Sequence, residues 1–287
     1  MRFFVTRSAQ MLTLTLVFLA GSCNPSLAGT RVVVSGEDSN RHSVRRDMEI
    51  YISVIAQLQE SLIRAGFDVI DVHMTDLISG RETLEDISFL VAVGGFSNSD
   101  VLGSAKGWAG SFIYNEKANK TLKRFYNRKD TLSLGVCNGC QLFIELGLLH
   151  PDHEQKPKMD YNESNKFECV FTSVKISKNN SIMFKNFGDS ELGIWSAHGE
   201  GRFRLPKSES EYNIIAKYSN SSFPTNPNGS DYDAAIISNE DGRHIAMMPH
   251  LERSTFPWNW GHYPYNRKDQ VSPWILAFEN AYKWLKK

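Results

Sequence analysis

A cysteine that follows a short apolar segment offers the strongest candidate for chemistry. Residues 132–136 are apolar enough for a buried strand, Cys137 comes next, and Asn138 then opens a segment of helical character. A strand–nucleophile–helix turn of this kind lifts one side chain out of the backbone, and the helix N-terminus favours a thiolate. Gly135 and Gly139 flank the cysteine, as a tight turn with closely passing backbone requires. The pattern predicts that Cys137 is a nucleophile.

Two other interpretations of this cysteine stay open. Cys137 and Cys140 form a Cys-x-x-Cys, which is also the pattern of a thiol redox pair or half of a zinc site. Neither a second Cys-x-x-Cys nor a His-x-x-x-His follows, so a zinc ion would lack obvious further ligands. A plain buried cysteine is the third possibility, which the flanking glycines make less favoured.

A histidine and a glutamate downstream supply the partners that such a thiol needs. His250 follows an apolar segment of predicted strand, and Glu252 comes two residues later. Thiol attack on an amide needs a base to hold the thiolate–imidazolium state and an acid to protonate departing ammonia. A histidine does both, and a carboxylate fixes its tautomer. We expect Cys137, His250 and Glu252 to form a catalytic triad, which is recognised by roles rather than by chain order.

The tetrahedral intermediate of such a reaction also needs hydrogen-bond donors for its oxyanion. The backbone N–H of Asn138, directly after the nucleophile, is one candidate. The Gly94-Gly95-Phe96 turn is the other, because its glycines allow a backbone amide to point into the site. The simpler alternative is that these glycines only turn the chain from a strand into a loop.

The elements that must position these residues follow an alternating pattern. Strands are predicted at 31–34, 67–72, 87–93 and 131–136, and helical segments at 44–65 (ending at Gly66), 108–126 and 273–287. This alternation predicts an α/β fold with a mostly parallel central sheet flanked by helices. Functional groups should then gather at the carboxyl ends of the strands. After Leu149 the pattern changes to predicted strands at 167–176, 193–197, 214–218, 234–238 and 244–248, which indicates an added antiparallel section.

Composition and charge exclude several classes of function. The chain has 287 residues, of which 41% are hydrophobic, enough for a substantial globular core. Lys plus Arg equals Asp plus Glu at 32 each, so nothing suggests nucleic acid or another polyanion as a partner. Four cysteines in a chain of this length do not make a disulfide scaffold.

The N-terminus has the three regions of a secretory signal peptide. Arg2 and Arg7 precede the apolar residues 11–20, and Ser26-Leu27-Ala28 offers a cleavage pattern. The apolar segment is too short for a stable membrane span. We therefore divide the chain into a leader, signal-peptide-like or disordered, at 1–30 and one domain at 31–287. Export is the alternative that the leader supports, against the cytoplasmic location preferred below.

Several motifs together resemble class I, triad-type glutamine amidotransferases. More narrowly, the chain is similar to the C-terminal glutaminase domains of large-form phosphoribosylformylglycinamidine synthases. The resemblance runs from about Ala65 to the C-terminus. The segments that carry it are 65–69, 71–77, Gly94-Gly95-Phe96-Ser97, 100–108, Gly135-Val136-Cys137-Asn138-Gly139-Cys140-Gln141, His198-Gly199-Glu200-Gly201, 226–230 and Met247-Met248-Pro249-His250-Leu251-Glu252-Arg253.

The resemblance implies a flavodoxin-like fold and a site. Cys137 would be the nucleophile, and His250 and Glu252 would complete the triad. Gly95, Phe96 and Asn138 would surround the oxyanion, and the glutamine pocket would be lined by Gln141, Trp195, His198 and Gly199. One departure lies within the triad segment, because the family usually has proline where this chain has Leu251.

The resemblance also implies partners that this chain does not contain. L-Glutamine would be hydrolysed through a thioester, and the ammonia would be used by synthetase domains or a synthetase subunit. Those domains would bind ATP and Mg²⁺, since this chain has no Gly-x-x-x-x-Gly-Lys-Ser/Thr loop and no acidic cluster that marks a metal site. No cofactor or metal is expected here. Because glutamine, ATP and purine intermediates are cytosolic, a cytoplasmic location is preferred. A free-standing cysteine amidase or γ-glutamyl hydrolase, and a non-catalytic remnant, are the alternatives.

Overall fold

A computed structural model describes residues 31–35, 55–96, 100 and 102–287, with residues 31–35 described by their backbone alone. The leader predicted at 1–30 lies outside the described residues, and so does the first half of the helix predicted at 44–65.

The fold is built on one nine-stranded sheet. Its spatial order is β2-β1-β3-β4-β11-β10-β9-β6-β7, and a second sheet pairs β5 with β8. The strands are β1 (Arg31–Ser35), β2 (Asp68–Asp71), β3 (Phe89–Ala92), β4 (Leu132–Val136), β5 (Lys158–Asp160), β6 (Glu168–Ile176), β7 (Ser190–His198), β8 (Arg202–Arg204), β9 (Asn213–Tyr218), β10 (Ala234–Ser238) and β11 (His244–Met247).

The sheet has a parallel half and an antiparallel half, as the sequence predicted. Every pairing from β2 to β11 is parallel. Every pairing from β11 to β7 is antiparallel. β3, β4, β10 and β11 are buried along their whole length, which explains why their sequences are almost continuously apolar rather than alternating.

In the described part of the chain, six α-helices cover the sheet. The described part of α1 covers residues 55–64, and the others are α2 (Met74–Ser79), α3 (Lys106–Ile113), α4 (Glu116–Asn127), α5 (Asn138–Glu145) and α6 (Ile275–Leu285). Helices α2 to α5 contact one another, and α5 packs directly on β3, β4 and β11. At the end of α1, Gly66 has φ +100° and lies against Tyr282 of α6, so the predicted glycine cap is confirmed.

Two details differ from the sequence prediction. The segment predicted as one helix at 108–126 is two helices, because Asn115 caps α4 by accepting a hydrogen bond from the N–H of Ala118. The small sheet of β5 and β8 was not predicted at all. Its strands have three residues each, too few for a hydrophobic period to be visible.

Each helix in the described part of the chain is too short or too polar to cross a bilayer.

Candidate active site

Three neighbouring parallel strands bring the predicted chemistry to one edge of the sheet. β3 leads to Gly94, β4 leads to Cys137, and β11 leads to His250. These strands are adjacent in the order β3-β4-β11, so their carboxyl ends meet at the same place. The structure therefore brings the predicted site residues together at the carboxyl ends of these strands.

Cys137 sits on a strained elbow. Its φ of 52° and ψ of −106° are unusual for a residue with a side chain, and it forms the N-cap of α5. The N–H of Cys137 donates to Met247 O at 2.8 Å, and Cys137 O accepts from the N–H of Gln141 at 3.0 Å. The elbow is therefore fixed on one side to β11 and on the other to the first turn of the helix.

The flanking glycines are required by close contacts. A Cβ on Gly139 would lie 2.0 Å from Ala92 O, and one on Gly135 would lie 2.5 Å from Gly139 O. A Cβ on Gly94 would lie 2.8 Å from His250 Cε1 and 3.1 Å from Cys137 Cβ. The glycines thus allow α5 to approach β3 and β4, and they allow the cysteine and the histidine to share one space.

His250 and Glu252 form a buried pair beside the thiol. His250 Nδ1 lies 2.5 Å from Glu252 Oε1, and both side chains are almost fully buried. The N–H of His250 donates to Trp195 O at 2.7 Å, which anchors the histidine backbone to β7. Leu251, between them, has φ −67°, a value that proline also adopts, so the family proline and this leucine give the same turn.

The charge state of His250 follows from these neighbours. Burial lowers the pKa of His250, but the negative charges of Glu252 and Cys137 outweigh it and raise this pKa to about 9. Because Nδ1 faces Glu252, Nε2 is the nitrogen left to exchange a proton. It is buried, and a hydrogen bond with the Cys137 side chain also raises the pKa of His250. A thiol, an imidazole and a carboxylate are therefore contiguous, which is the arrangement that thiol nucleophiles need.

Cys140 has a different environment from Cys137. It is fully buried on α5, and burial together with the charge of Cys137 raises the pKa of the Cys140 thiol well above its ordinary value. Cys137, Cys140 and Cys169 are all free thiols. The described residues contain no group of three or more His, Cys, Asp or Glu side chains that could hold a metal ion.

The predicted oxyanion residues lie next to the thiol. Gly95 has φ +119°, a conformation that favours glycine. It directly follows Gly94, which lies against Cys137 and His250. Asn138 is the first residue of α5. The Phe96 side chain is 56% exposed, so of the three residues it is the one that reaches the surface.

The residues predicted to line a glutamine pocket lie at the end of β7 and on the first turn of α5, where they form a wall beside Cys137. Cys137 Sγ lies 3.7 Å from Ala197 O, which brings the end of β7 against the thiol. His198 and Gly199 follow there, and Gln141 Nε2 donates to Glu200 O at 2.8 Å. The indole of Trp195 instead donates to Asn259 O and packs on Phe171, so this residue meets the site through its main-chain carbonyl.

Sequence reasoning missed a set of polar residues around this wall. Asn138 Nδ2 donates to Gln141 Oε1 at 2.7 Å and to Asp100 Oδ2 at 3.3 Å, and Ser104 donates to Glu200. Burial, and the nearby charge of Glu200, raise the pKa of Asp100. Only the position of Asp100 and Glu200 inside recognisable motifs could have drawn attention to them.

The chain is similar to known proteins over most of its length. A family profile described as a CobB/CobQ-like glutamine amidotransferase domain matches residues 55–285. A probable phosphoribosylformylglycinamidine synthase of Caenorhabditis elegans is 42% identical, over 79% of this chain and 19% of its own length. A probable chloroplastic/mitochondrial protein of that name from Arabidopsis thaliana is 38% identical, over 86% of this chain and 20% of its own length. The chain thus spans about a fifth of these relatives.

Solved structures define the same fold. The structure of PurLQS from Thermotoga maritima has a TM-score of 0.61 at 23% identity, covering 90% of this chain and 98% of that one. The glutaminase domain of Trypanosoma brucei CTPS with bound acivicin has a TM-score of 0.51 at 18% identity, covering 88% and 94%. The fold is that of the flavodoxin-like α/β glutamine amidotransferases. The chain belongs to the CobB/CobQ-like glutamine amidotransferase domain family.

Proposed function

We propose that this chain is the glutaminase module of a phosphoribosylformylglycinamidine synthase. Cys137, His250 and Glu252 hydrolyse L-glutamine, and the ammonia converts formylglycinamide ribonucleotide to formylglycinamidine ribonucleotide in purine biosynthesis. The observation that carries this proposal is the meeting of Gly94, Cys137 and the His250–Glu252 pair at the ends of three adjacent parallel strands. The names of the relatives at 38–42% identity supply the particular pathway.

The first half of the reaction forms a thioester. The Cys137 thiolate attacks the γ-carboxamide carbon of glutamine, and the carbonyl oxygen becomes an oxyanion. The backbone amides of the Gly95–Phe96 turn and of Asn138 stabilise that oxyanion. His250, held protonated by Glu252, gives its Nε2 proton to the departing nitrogen, so ammonia leaves as the C–N bond breaks.

The second half releases glutamate. A water molecule attacks the γ-glutamyl thioester on Cys137, and His250, now neutral, takes a proton from that water. The C–S bond then breaks, and Cys137 returns to the thiolate beside a protonated His250. Glu252 keeps Nδ1 protonated throughout, so the same ring nitrogen, Nε2, serves both half-reactions.

The substrate is held by the wall at the end of β7 and by the first turn of α5. Gln141, His198 and Gly199 contact the glutamine, and Trp195 contributes by fixing the His250 backbone. Cys140 takes no part, because its buried thiol stays protonated.

The ammonia acceptor is activated elsewhere. Converting an amide oxygen into a leaving group needs ATP and Mg²⁺, and the proposed partner is a set of synthetase domains or a synthetase subunit that binds both. The cytosolic location of glutamine, ATP and purine intermediates supports a cytoplasmic location for the chain. The sequence offers no phosphate-cradling Gly-x-x-x-x-Gly-Lys-Ser/Thr loop of its own for that step.

The test is ammonia and glutamate release from purified protein, with and without a synthetase carrying its bound nucleotides. We expect weak hydrolysis of glutamine by the chain alone and a clear increase with the partner, because an unused ammonia molecule is wasted. Vigorous hydrolysis that the partner does not change would instead favour a free-standing amidase. Absence of hydrolysis under both conditions, with folded protein, would favour a non-catalytic remnant.

A further inference from the structure

One buried asparagine outside the triad makes most of its hydrogen bonds to the end of β7 and the turn that follows it. Asn162 is 1% exposed, and its Nδ2 donates to His198 O at 2.7 Å and to Lys166 O at 2.9 Å. Its Oδ1 accepts from the N–H of Gly201 at 3.0 Å. Its own N–H donates to Gly199 O at 2.8 Å. Asn162 therefore holds the turn that follows His198.

These contacts fix the tautomer of a neighbouring histidine. Backbone N–H groups only donate and carbonyls only accept, so the partners of Asn162 settle which of its amide atoms is the oxygen. That oxygen, Oδ1, also lies 3.2 Å from His198 Nδ1. An acceptor there requires that Nδ1 carries the proton. A neutral His198 then has its lone pair on Nε2.

The lone pair of His198 is an acceptor that no described residue uses. His198 is 3% exposed, and Nε2 has no hydrogen-bond partner among the described residues. A buried polar atom without a partner is unfavourable, which points to a donor that arrives with a ligand. Burial and the positive charge of His250 lower the pKa of His198 to about 3, so the ring stays neutral at ordinary pH.

The chemistry of the substrate supplies such a donor. His198 follows Ala197, whose carbonyl lies 3.7 Å from Cys137 Sγ. The charge of His250 lowers the pKa of His198. A γ-carboxamide carbon placed for attack by that thiol brings its own NH₂ group to this region. L-Glutamine and its product L-glutamate differ only in that group, since the carboxylate of glutamate has no N–H to donate.

We propose that His198 Nε2 accepts a hydrogen bond from the γ-carboxamide NH₂ of glutamine, and that Asn162 is the positioning residue that keeps Nε2 unprotonated. This inference rests on the proposed glutaminase function and adds to it a basis for distinguishing substrate from product. The neutral acceptor binds the amide and repels the carboxylate. Asn162 touches no substrate and acts only through His198.

Few charged groups lie where they could shift the pKa of His198. The charged or titratable groups around it are His250, whose charge acts on its ring, Glu168, which lies opposite it on β6, and Glu200, which belongs to the turn that Asn162 holds. Only His250 among them shifts the pKa of His198, and it does so downward. The glutamine affinity that depends on this acceptor should therefore be flat between about pH 5 and pH 8.

The direct experiment is ¹⁵N NMR of histidine-labelled Cys137→Ala protein, which can bind glutamine without turning it over. We expect a neutral His198 protonated at Nδ1, and an upfield shift of its Nε2 resonance with L-glutamine that L-glutamate does not produce. Protonation at Nε2 in the free protein would overturn the inference. So would an unchanged Nε2 resonance when the His250 resonances show saturation with glutamine. No response at any histidine would contradict the proposed function itself.

A variant tests the positioning role through pH. In Asn162→Asp, the carboxylate next to Nδ1 should raise the pKa of His198, so that Nε2 becomes a donor at low pH. We expect the KM for glutamine to rise about tenfold at pH 6 and to recover by pH 8, with little change in kcat. Asn280→Asp is the matched control. Asn280 lies on α6, and its Nδ2 also donates to two main-chain carbonyls, Met183 O and Lys185 O.

The control separates loss of bonds from loss of the acceptor. Both variants lose two hydrogen bonds to carbonyls, but only Asn162→Asp places a charge beside His198. A KM that is independent of pH and equal in the two variants would contradict the role of Asn162. Where Asn162→Asp does not fold, the NMR experiment on the Asn162-containing protein still decides the matter.

Discussion

At the scale of single residues, the site depends on a proton held on His250. Glu252 Oε1 lies 2.5 Å from His250 Nδ1, and the pair is closed off from water. Glu252 and the thiol at Cys137 together keep the imidazole protonated to about pH 9 despite its burial. That proton is the one that departing ammonia needs.

Removal of the imidazole should therefore slow turnover strongly. We expect His250→Ala to lower kcat for glutamine hydrolysis by a factor of roughly 10² to 10⁴, the usual range for a general acid and base. Glu252→Gln should lower kcat less, because Glu252 orients the ring and transfers no proton, and the glutamine side chain can still orient it. Steady-state glutamate release measures both. Unchanged kinetics in His250→Ala would exclude the triad.

The raised pKa of His250 gives a second prediction at this scale. Above about pH 9 the imidazolium loses its proton, so glutamine hydrolysis should fall because ammonia leaves without an acid. Alkylation of Cys137 by iodoacetamide needs no such proton and should continue at high pH. The two rates are compared from pH 7 to pH 10. A parallel decline of both would mean that the thiol, not the imidazole, is lost.

At the scale of elements, the site depends on how closely α5 approaches the sheet. Gly139 has no room for a side chain, since a Cβ would lie 2.0 Å from Ala92 O on β3. The helix N-terminus, the strained Cys137 elbow and the end of β3 therefore meet only when this position is glycine. The contact with Ala92 is a backbone contact, which cannot be relieved by turning a side chain.

A matched pair of glycine substitutions tests this packing. Gly139→Ala should destabilise the fold by about 1–3 kcal/mol or more, because overpacking forces α5 away from β3. Gly110→Ala on α3 is the control, since its nearest neighbour would be 3.7 Å away. It should be neutral or stabilising by up to about 1 kcal/mol, through helix propensity. Urea unfolding measures both, and equal stabilities would contradict the packing argument.

Elements also show how far the sequence alone can lead. Sequence predicts the three strands before Gly94, Cys137 and His250 correctly, because each is buried along its length and is almost continuously apolar. Their adjacency in space does not follow from any local pattern. It depends on sheet order, in which β11 joins β4 although about 110 residues separate them in the chain.

Part of the site was out of reach of sequence reasoning for a related physical reason. Asn162 lies in the polar loop between the three-residue strand β5 and the longer strand β6, where no periodicity marks it. Its importance comes from four backbone contacts with the end of β7 and the loops beside it, which exist only in the folded chain. Asp100 and Glu200 meet around Asn138 and Gln141 in the same way.

At the scale of the whole molecule, three buried histidines set the pH range of stability. Burial lowers the pKa of His198 and of His244 to about 3, with positive neighbours His250 and Arg243 adding to the effect. His250 has the opposite shift, to about 9. An unfolded histidine titrates near pH 6.5.

The directions of these pKa shifts make the folded protein most stable near neutral pH. Between pH 3 and 6.5 the unfolded chain takes up protons that folded His198 and His244 do not, so acid lowers the free energy of unfolding. Between pH 6.5 and 9 folded His250 keeps a proton that the unfolded chain releases, so stability also falls as pH rises. Urea unfolding from pH 4 to 9 measures both limbs. His250→Ala should remove the alkaline limb, and its persistence there would contradict the shift assigned to His250.

Trapping of an electrophilic glutamine analogue on the thiol, followed by mass spectrometry of the intact protein and its peptides, shows directly which cysteine is the nucleophile. We expect one adduct per chain, on Cys137, and we expect excess L-glutamine to block it. The adduct should persist in Cys140→Ala and disappear in Cys137→Ser, because the Cys140 thiol is buried and protonated. Equal losses in the two variants, or an adduct on Cys140, would contradict the assignment of Cys137 as the nucleophile.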